Sequence, residues 1–400
     1  MRKISSRILP FLFIILSILA CSAAPVIEDL NSDGTTPTHE NPSYEQVNPT
    51  PTFTYLPLVR NGLPKFIGYI DKIYWSKENV ERYMPEADNL SGLKNTAVGW
   101  FIDIQDPAFY EDWETEAALN RNNLYRQLER LWEKGYLSFV KIGSSDTIDK
   151  IISGNYDARI AQMAKIYKKW VDKGEGRKAM LAPLQEMNGD WVAYYPKNMP
   201  LGQKQQLYKQ AYQKIQAIFE QNGVGRNQVW WVFAANGLSS PDVPENNFEY
   251  YYPGNDAVDI VGFASYNYGY CTATYKVGEY DYGRWENYDT LYEPYIRRME
   301  TMAPGKPIII TETGTSAIFT KDDRPDHFNY SMKAQWFYEN YSYIARQRNV
   351  LGVFYFDINE FDGTTCDLRI PRENFTAYRD VVAQEGYRYL TITELKGFLP

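Results

Sequence analysis

Eight short apolar segments that alternate with amphipathic stretches between residues 66 and 400 predict an α/β fold, the (β/α)8 or TIM barrel. The segments are rich in β-branched and aromatic residues. Most are continuous rather than alternating, as expected for parallel strands buried on both faces. The alternative is a doubly wound open sheet, but no G-x-G-x-x-G pattern follows the first segment and no Walker A sequence occurs.

The predicted strands and helices alternate along the whole domain. We expect strands at 66–71, 97–104, 136–142, 179–184, 228–234, 258–264, 307–311 and 350–357, and helices at 116–133, 156–172, 202–221, 287–302 and 331–347. Gly135 should end the first of these helices and Gly223 the third. Because active groups of such barrels lie at the carboxyl ends of the strands, the residues there are the candidates for function.

Residues 1–24 have the pattern of an export signal. Basic residues precede an apolar run at 8–20, which has 13 residues and is shorter than the roughly 20 that a membrane-spanning helix needs. The sequence ILAC at 18–21 resembles a bacterial lipobox, in which Cys21 is acylated; the alternative is ordinary cleavage near residues 23–24. In both cases we expect a secreted or extracellular protein, and acylation would anchor it to the cell surface.

Residues 25–64 form a predicted flexible linker, and residues 65–400 form the barrel domain. The linker is rich in Pro, Thr, Asn and acidic residues and contains NPTPT at 48–52, which is typical of a stiff, extended spacer. Such a segment has too few apolar residues to offset the entropy lost on ordering.

The composition excludes several classes of function. A net charge of −8 argues against a protein that binds nucleic acid, which needs a basic face. Two His and three Cys leave few ligands for a zinc or iron–sulfur site. We therefore expect no metal and no organic cofactor, no nucleic-acid partner, membrane contact only through the N-terminal anchor, and a monomeric chain.

Two glutamates follow predicted strands on opposite sides of the barrel. Glu186 follows the fourth strand in APLQEMNGDW at 182–191, and Glu312 follows the seventh in ITETGT at 310–315. Two carboxyl groups that face each other across a barrel mouth suit glycosidic hydrolysis, in which one protonates the leaving oxygen and the other attacks or stabilises the anomeric carbon. An ionised Glu312 disfavours ionisation of Glu186, so Glu186 is the expected acid.

Other interpretations of these acids stay open at this point. Each glutamate could instead cap a helix or pair with an arginine. Asp357 and Glu360 lie near the end of the eighth predicted strand, and either could replace Glu312 as the nucleophile.

Several polar and aromatic residues near the same strand ends are candidates for binding a sugar. Asn188 and Asn236 could bind hydroxyl groups or could brace loops through backbone hydrogen bonds. Trp191 and Tyr266 could stack on sugar rings, or could pack within their own loops. Cys271 and Cys366 lie in loops that leave the same barrel face, and export would permit a disulfide between them, which the sequence leaves open.

The motifs together resemble glycoside hydrolase family 26, whose best-known members are endo-β-1,4-mannanases. The resemblance runs from about residue 66 to 360 and includes QEMNGDW at 185–191, WWVFAANG at 230–237, YYPGN at 251–255, VDIVG at 258–262 and ITETG at 310–314. It implies a retaining (β/α)8 barrel in which Glu186 is the acid/base and Glu312 the nucleophile. It also implies that Tyr266 donates a hydrogen bond to the nucleophile.

The chain departs from the family pattern at two points. Many members have Arg-Pro-Leu-His-Glu at the fourth strand, where this chain has APLQE, so Gln185 replaces a histidine that contacts sugar. Gln185 can still donate and accept hydrogen bonds to a hydroxyl. The eighth strand commonly ends in a Trp platform, where this chain has FYFD at 354–357, so Phe356 is the candidate platform.

The sequence thus predicts a retaining β-glycoside hydrolase that cleaves a β-linked polysaccharide, with endo-β-1,4-mannanase as the leading activity. The alternatives are a β-glucanase or xylanase of the same fold, a barrel glycosidase of another clan, and a non-catalytic glycan-binding surface lipoprotein. The last is kept open by the missing arginine and histidine at the fourth strand.

Overall fold

The computed structural model describes residues 62–71, 76–271, 284–320, 323, 328–358 and 366–399. The chain divides into two units, Met1–Arg60 and Asn61–Pro400, and all described residues belong to the second. The predicted export signal with Cys21, and nearly all of the predicted linker, lie outside the described residues. No helix within the described ranges is both long enough and apolar enough to cross a bilayer.

Eight parallel strands close into a barrel in chain order, and β1 pairs with both β2 and β8. This confirms the (β/α)8 barrel predicted from the sequence. The strands are β1 Phe66–Ile70, β2 Ala97–Asp103, β3 Leu137–Gly143, β4 Ala179–Pro183, β5 Val229–Asn236, β6 Ile260–Asn267, β7 Ile308–Thr315 and β8 Val350–Phe356.

α-Helices follow every strand except β5, which is followed by two short 3-10 helices at Pro244–Asn246 and Phe248–Tyr251, and the helices form the outer layer. The described helices are α1 Lys77–Ser91, α2 Glu116–Leu119, α3 Asn123–Glu133, α4 Ile148–Ile152, α5 Asp157–Val171, α6 Leu201–Gln221, α7 Tyr288–Leu291, α8 Glu293–Met302, α9 Tyr330–Arg346, α10 Ala377–Gln384 and α11 Ile392–Lys396. As predicted, Gly135 and Gly223 adopt positive φ angles, of 75° and 86°, just beyond α3 and α6.

Two predicted helices are each divided in the structure. The side chain of Asn122 accepts hydrogen bonds from the backbone N–H groups of Leu124 and Tyr125, which starts α3 afresh and separates it from α2. The predicted helix at 287–302 is likewise two helices, α7 and α8. Helix α1 was not predicted, because its sequence is polar and contains Pro85.

The apolar core has two layers, one inside the barrel and one between the sheet and the helices. Inside the barrel, Phe66 and Phe354 meet edge to face with ring centroids 5.8 Å apart. Leu395 and Leu399, which lie in and after α11, belong to this inner layer together with Phe66 at the start of β1. The C-terminal segment therefore packs at the amino ends of the strands and leaves the carboxyl ends for the site.

Three strands extend further than predicted, because β5, β6 and β7 end at Asn236, Asn267 and Thr315. The β-branched Thr313 and Thr315 continue the pairing with β6, so the predicted end of the seventh strand at residue 311 was wrong. As a result, Glu312 lies within β7 rather than in the loop that follows it.

Candidate active site

A β-bulge in β7 determines the direction of the Glu312 side chain. Ile310 pairs with Phe263, and the next pair joins Glu312 to Ala264, so Thr311 is an extra residue on β7. Before the bulge, Ile309 faces the barrel interior while Ile310 packs in the outer layer. Strict alternation would therefore direct Glu312 toward the helices. The bulge shifts the alternation by one residue and turns the carboxylate into the barrel.

Two side chains from other strands hold the Glu312 carboxylate. Lys141 on β3 donates to Oε1 and forms a buried ion pair, and Tyr266 on β6 donates its hydroxyl proton to Oε2. The Lys141 ammonium also donates to the carbonyl oxygen of Thr311 at 3.3 Å, so it satisfies a backbone group of the bulge. Each oxygen of the buried carboxylate is thus fixed from one side by the chain itself.

The Lys141 ammonium is enclosed by aromatic rings. Its Nζ atom lies 4.9 Å from the ring centroid of Phe101 and 5.2 Å from that of Phe139, and the side chain is fully buried. Burial lowers the pKa of Lys141 below its ordinary value, while the charges of Glu312 and Glu186 act in the opposite direction. The aromatic faces and the carboxylates together compensate for the loss of hydration of the ammonium.

The backbone after β4 holds Glu186 in an unusual conformation. Both Leu184 and Glu186 have φ angles of 52°, in the left-handed region, which costs about 1–3 kcal/mol for a residue other than glycine. The Glu186 N–H donates to the carbonyl oxygen of Ala234 on β5 at 2.8 Å, which anchors this turn to the neighbouring strand. One of these two strained residues, Glu186, is the acid predicted from the sequence.

Trp191 folds back over its own loop and contacts Glu186. Its indole Nε1–H donates to Oε2 of Glu186 at 3.0 Å. A Cβ atom at Gly189 would lie 2.3 Å from the Trp191 ring, so only glycine at 189 permits this contact. The structure thus has Trp191 as a hydrogen-bond partner of the Glu186 carboxyl group, and its predicted contact with the substrate stays a prediction.

The two carboxylates influence the same neighbours. Burial raises the pKa of Tyr266 well above its ordinary value, and the charges of Glu312 and, more weakly, Glu186 raise it further. Tyr266 therefore remains a protonated donor. Because Lys141 and Tyr266 each respond to both glutamates, Glu186 and Glu312 belong to one electrostatic cluster at the carboxyl end of the barrel.

Asn188 and Asn236 connect the loops after β4 and β5. The fully buried Asn188 donates to the carbonyl oxygen of Asn236 at 2.8 Å and accepts from its N–H at 2.9 Å. The Asn236 side chain donates to the Leu238 carbonyl oxygen at 2.8 Å. The sequence left open whether Asn188 and Asn236 bind sugar hydroxyl groups or brace loops. Their hydrogen bonds to backbone groups are those of a loop brace.

Aromatic side chains surround Glu312 on the β6 and β8 sides. The Tyr266 ring lies 5.5 Å from that of Tyr268 and 5.8 Å from that of Phe356, which in turn lies 6.5 Å from Phe101. Phe356 is buried, so it lies beneath Tyr266 in the inner layer. Gln185 is half-buried, and its backbone carbonyl oxygen accepts from the Tyr194 hydroxyl group.

Asp357, an alternative nucleophile in the sequence, is fully engaged by the chain. Arg372 donates to its two carboxylate oxygens at 3.1 and 2.8 Å, the Tyr69 hydroxyl donates at 2.9 Å, and the Ile370 N–H donates at 2.7 Å. These four bonds leave Asp357 a structural residue. Glu360, the other alternative, lies outside the described residues.

Cys271 and Cys366 form a disulfide, with Cα atoms 5.1 Å apart across a sequence separation of 95 residues. It joins the loop after β6, the strand that carries Tyr266, to the segment after β8. The bond therefore connects the loops on two sides of the Glu312 cluster.

Sequence reasoning overlooked Lys141. The signal was a lysine in the apolar run YLSFVKI at 136–142, where a charged side chain inside a closed barrel needs a partner. The sequence could not identify that partner, because Glu312 lies 171 residues further along the chain. Within the described ranges, no group of three or more His, Cys, Asp or Glu side chains is arranged to hold a metal ion.

Comparison with known proteins identifies related sequences. The model of glycosyl hydrolase family 26 matches residues 133–281. Endoglucanase H of Acetivibrio thermocellus is 28% identical over 240 residues, which are 59% of this chain and 23% of that protein. Mannan endo-1,4-beta-mannosidase of Bacillus subtilis is 28% identical over 149 residues, 36% of this chain and 32% of that protein. The matched regions thus span less than a third of the length of either relative.

Solved structures share the fold at lower identity. The catalytic domain of an endo-beta-1,4-mannanase from Bacillus sp. JAMB-750 has a TM-score of 0.54 at 16% identity, covering 84% of this chain and 89% of that one. A beta-mannanase from a symbiotic protist of the termite Reticulitermes speratus has a TM-score of 0.51 at 12% identity, covering 84% and 90%. At these identities the likeness is one of fold.

Proposed function

We propose that the chain is a member of glycoside hydrolase family 26 and a retaining hydrolase of a β-linked polysaccharide, with Glu312 as nucleophile and Glu186 as acid/base. The observation that carries the proposal is the Glu312 carboxylate, turned into the barrel by a bulge and held by Lys141 and Tyr266. Glu186 belongs to the same electrostatic cluster.

The proposed reaction has two steps. In the first, a Glu312 carboxylate oxygen attacks the anomeric carbon, the glycosidic bond breaks, and the Glu186 carboxyl group gives its proton to the leaving oxygen. In the second, a water molecule attacks the anomeric carbon, Glu186 accepts a proton from that water, and the ester bond to Glu312 breaks. Both glutamates return to their starting protonation states, and the sugar keeps its β configuration.

The substrate proposed first is a β-1,4-mannan. The mannosidase relative from Bacillus subtilis and the two mannanase folds support it. A β-glucan is the second candidate, because the longer sequence match is to an endoglucanase. Gln185, in place of the histidine common at that position, is the residue at which we expect the two substrates to be distinguished.

A glycan-binding protein without turnover is less consistent with the site. Binding a neutral sugar needs hydroxyl partners and aromatic faces, but it does not need a carboxylate held beside a buried ammonium. Glu186 also adopts a left-handed backbone conformation. Such strained conformations cluster at functional sites and persist where contacts of the surrounding fold hold them in place.

The direct test measures release of reducing sugar from mannans, mixed-linkage glucans and xylans. We expect one class to be cleaved and Glu312→Ala to abolish the cleavage. Azide then separates the two roles. With Glu312→Ala it should replace the carboxylate and give an α-glycosyl azide, whereas with Glu186→Ala it should attack the glycosyl-enzyme and give a β-glycosyl azide. A protein that binds these glycans without cleaving any of them would contradict the proposal.

We further propose that the protein is exported, attached to the cell surface through acylated Cys21, and monomeric. The basic and apolar segments before Cys21 and the ILAC sequence support the anchor. Expression of the full chain with a radiolabelled fatty acid should label the wild type, and Cys21→Ser should remain unlabelled. Labelling of that variant, or recovery of unlabelled wild type from the medium, would contradict the anchor. Light scattering at several concentrations checks the monomer.

A further inference from the structure

A fully buried lysine next to a carboxylate in the barrel interior needs an explanation beyond packing. Lys141 occupies a position on β3 at which the other interior residues are apolar, and burial of an ammonium is costly unless it is paired. Among the described residues, it is the cation that contacts Glu312. Methionine would fill a similar volume without that cost, so the charge itself is expected to have a role.

We propose that Lys141 is a positioning residue that acts as the counter-ion of Glu312 before glycosyl transfer and of Glu186 after it. This inference rests on the proposed hydrolase function. In the free protein, the ionised Glu312 pairs with the ammonium while Glu186 is protonated. After the first step, Glu312 is a neutral ester and Glu186 has given its proton to the leaving group. Lys141 keeps its own proton throughout.

The charge count explains the benefit of one shared cation. With Lys141 present, the sum of charges over Lys141, Glu186 and Glu312 is zero both before and after glycosyl transfer. Without it, one uncompensated negative charge would remain in a largely buried site in both states, at first on Glu312 and then on Glu186. The site therefore does not have to reorganise its counter-ion between the two steps.

The groups around Glu312 support this assignment. From β3 comes the Lys141 ammonium, from β6 the neutral Tyr266 hydroxyl, and from the segment after β4 come Glu186 and the buried, neutral Tyr194. The charge of Glu186 also acts on Lys141, as a second contribution beside that of Glu312. Tyr266 cannot replace the lysine, because a protonated phenol carries no charge.

A purely structural role is the competing explanation. Lys141 also donates to the Thr311 carbonyl oxygen, so it could serve only to satisfy the bulge. Two variants separate the roles: Lys141→Met removes both donor and charge, and Lys141→Gln keeps a donor without the charge. Lys333→Met is the matched control, because Lys333 is equally buried but, within the part of the chain that the structure describes, donates to the carbonyl oxygens of Thr315, Leu368 and Arg369 and to no carboxylate.

The experiment records kcat and kcat/KM against pH on the glycan that the wild type cleaves best, with circular dichroism to select temperatures at which each variant is folded. Without the ammonium, ionisation of either glutamate becomes less favourable, so both limbs of the bell-shaped profile should move to higher pH by about one unit or more. We expect kcat to fall about 100-fold in Lys141→Met and Lys141→Gln, and both limbs to stay in place in Lys333→Met.

The outcomes are distinguishable. If folded Lys141→Gln retains the wild-type limbs, the counter-ion role is wrong and only the structural role remains. If the limbs of Lys333→Met move as far as those of the Lys141 variants, the effect reflects lost stability and the inference also fails. If the wild type cleaves no glycan, the proposed function fails first, and that result is recognised before any variant is made.

Discussion

Glu312 and Asp357 are two carboxylates at the carboxyl ends of neighbouring strands, and each has a cation and a tyrosine as partners. Glu312 on β7 has Lys141 and Tyr266, while Asp357 after β8 has Arg372 and Tyr69. Both are buried, with 4% of Glu312 and 1% of Asp357 exposed. Residue type, burial and pairing are therefore almost the same at both positions.

The two carboxylates differ in how many of their hydrogen-bond acceptor sites are occupied by donors from the chain itself. Asp357 accepts two bonds from one guanidinium, one from a hydroxyl group and one from a backbone N–H. Glu312 is held by one donor on each oxygen and shares its neighbours with Glu186. A buried carboxylate whose acceptor sites are filled by its own chain is a structural element, whereas one that keeps acceptor sites can serve as a nucleophile.

The largest expected effect comes from the isosteric change Glu312→Gln. The amide keeps an acceptor for Lys141 but is a far weaker nucleophile, so kcat should fall by at least about 10⁴-fold, or about 5.5 kcal/mol. Steady-state kinetics checks this result, and thermal unfolding should show a folded protein. A kcat within tenfold of the wild-type value would show that a residue other than Glu312 is the nucleophile.

The matching change at the other carboxylate, Asp357→Asn, should lower the stability of the protein and leave its kcat almost unchanged. It removes the charge that pairs with Arg372, which is partly exposed and also pairs with Glu86, so the free energy of unfolding should fall by about 3 kcal/mol, less than for a fully buried pair. For the folded fraction, kcat should remain within about threefold of the wild type, because Asp357 does not take part in the reaction. Urea unfolding and kinetics on one preparation give both values; a large loss of kcat with full stability would reverse the assignment.

The disulfide connects the two sides of this comparison. Replacing Cys271 and Cys366 together by serine opens a loop with a sequence separation of 95 residues and should lower the free energy of unfolding by about 3 kcal/mol. We expect the pH limbs of activity to stay in place, because no charge near Glu312 changes. Urea unfolding with and without reductant provides the control: reductant should destabilise the wild type and leave the double variant unaffected.

The smallest effect is expected for Trp191→Phe. It removes the 3.0 Å hydrogen bond from the indole N–H to Glu186 but keeps an aromatic ring above Gly189. Loss of one such bond is worth about 1 kcal/mol, so kcat on the polysaccharide should fall about fivefold to tenfold. Aryl glycosides with good leaving groups need little protonation and should be affected less; an equal loss on both substrates would argue against a role through Glu186.

Much of the fold was predictable because its determinants are local. Continuous apolar segments and glycines after helices predicted the barrel and most of its elements. The hydrophobic pattern also placed Glu186 just after β4 and Glu312 close to the end of β7, although β7 continues past Glu312 to Thr315. By contrast, the division between α2 and α3 depends on a single capping side chain, Asn122, within an otherwise helical pattern. Helix α1 escaped prediction because little of its surface is apolar.

The details of the site were less predictable because they depend on contacts between distant segments. The pairing of Lys141 with Glu312 and of Asp357 with Arg372 requires three-dimensional proximity that a single sequence does not contain. The brace formed by Asn188 is a similar case, since either of its two possible roles was consistent with the sequence. The family resemblance implied the contact between Tyr266 and Glu312, and the structure contains it.

The extra residue at Thr311 has a consequence for how this chemistry is encoded. Side chains on a strand alternate between the two faces of the sheet. The face on which Glu312 lies therefore depends on the number of residues that precede it on β7 and on the bulge at Thr311. Deleting Thr311 would remove the bulge and place Glu312 two residues after Ile309, which on a regular strand is again the inward face. Regular pairing with Thr311 kept and no bulge would instead turn Glu312 toward the helices, so the direction of this side chain depends on the bulge as well as on the sequence.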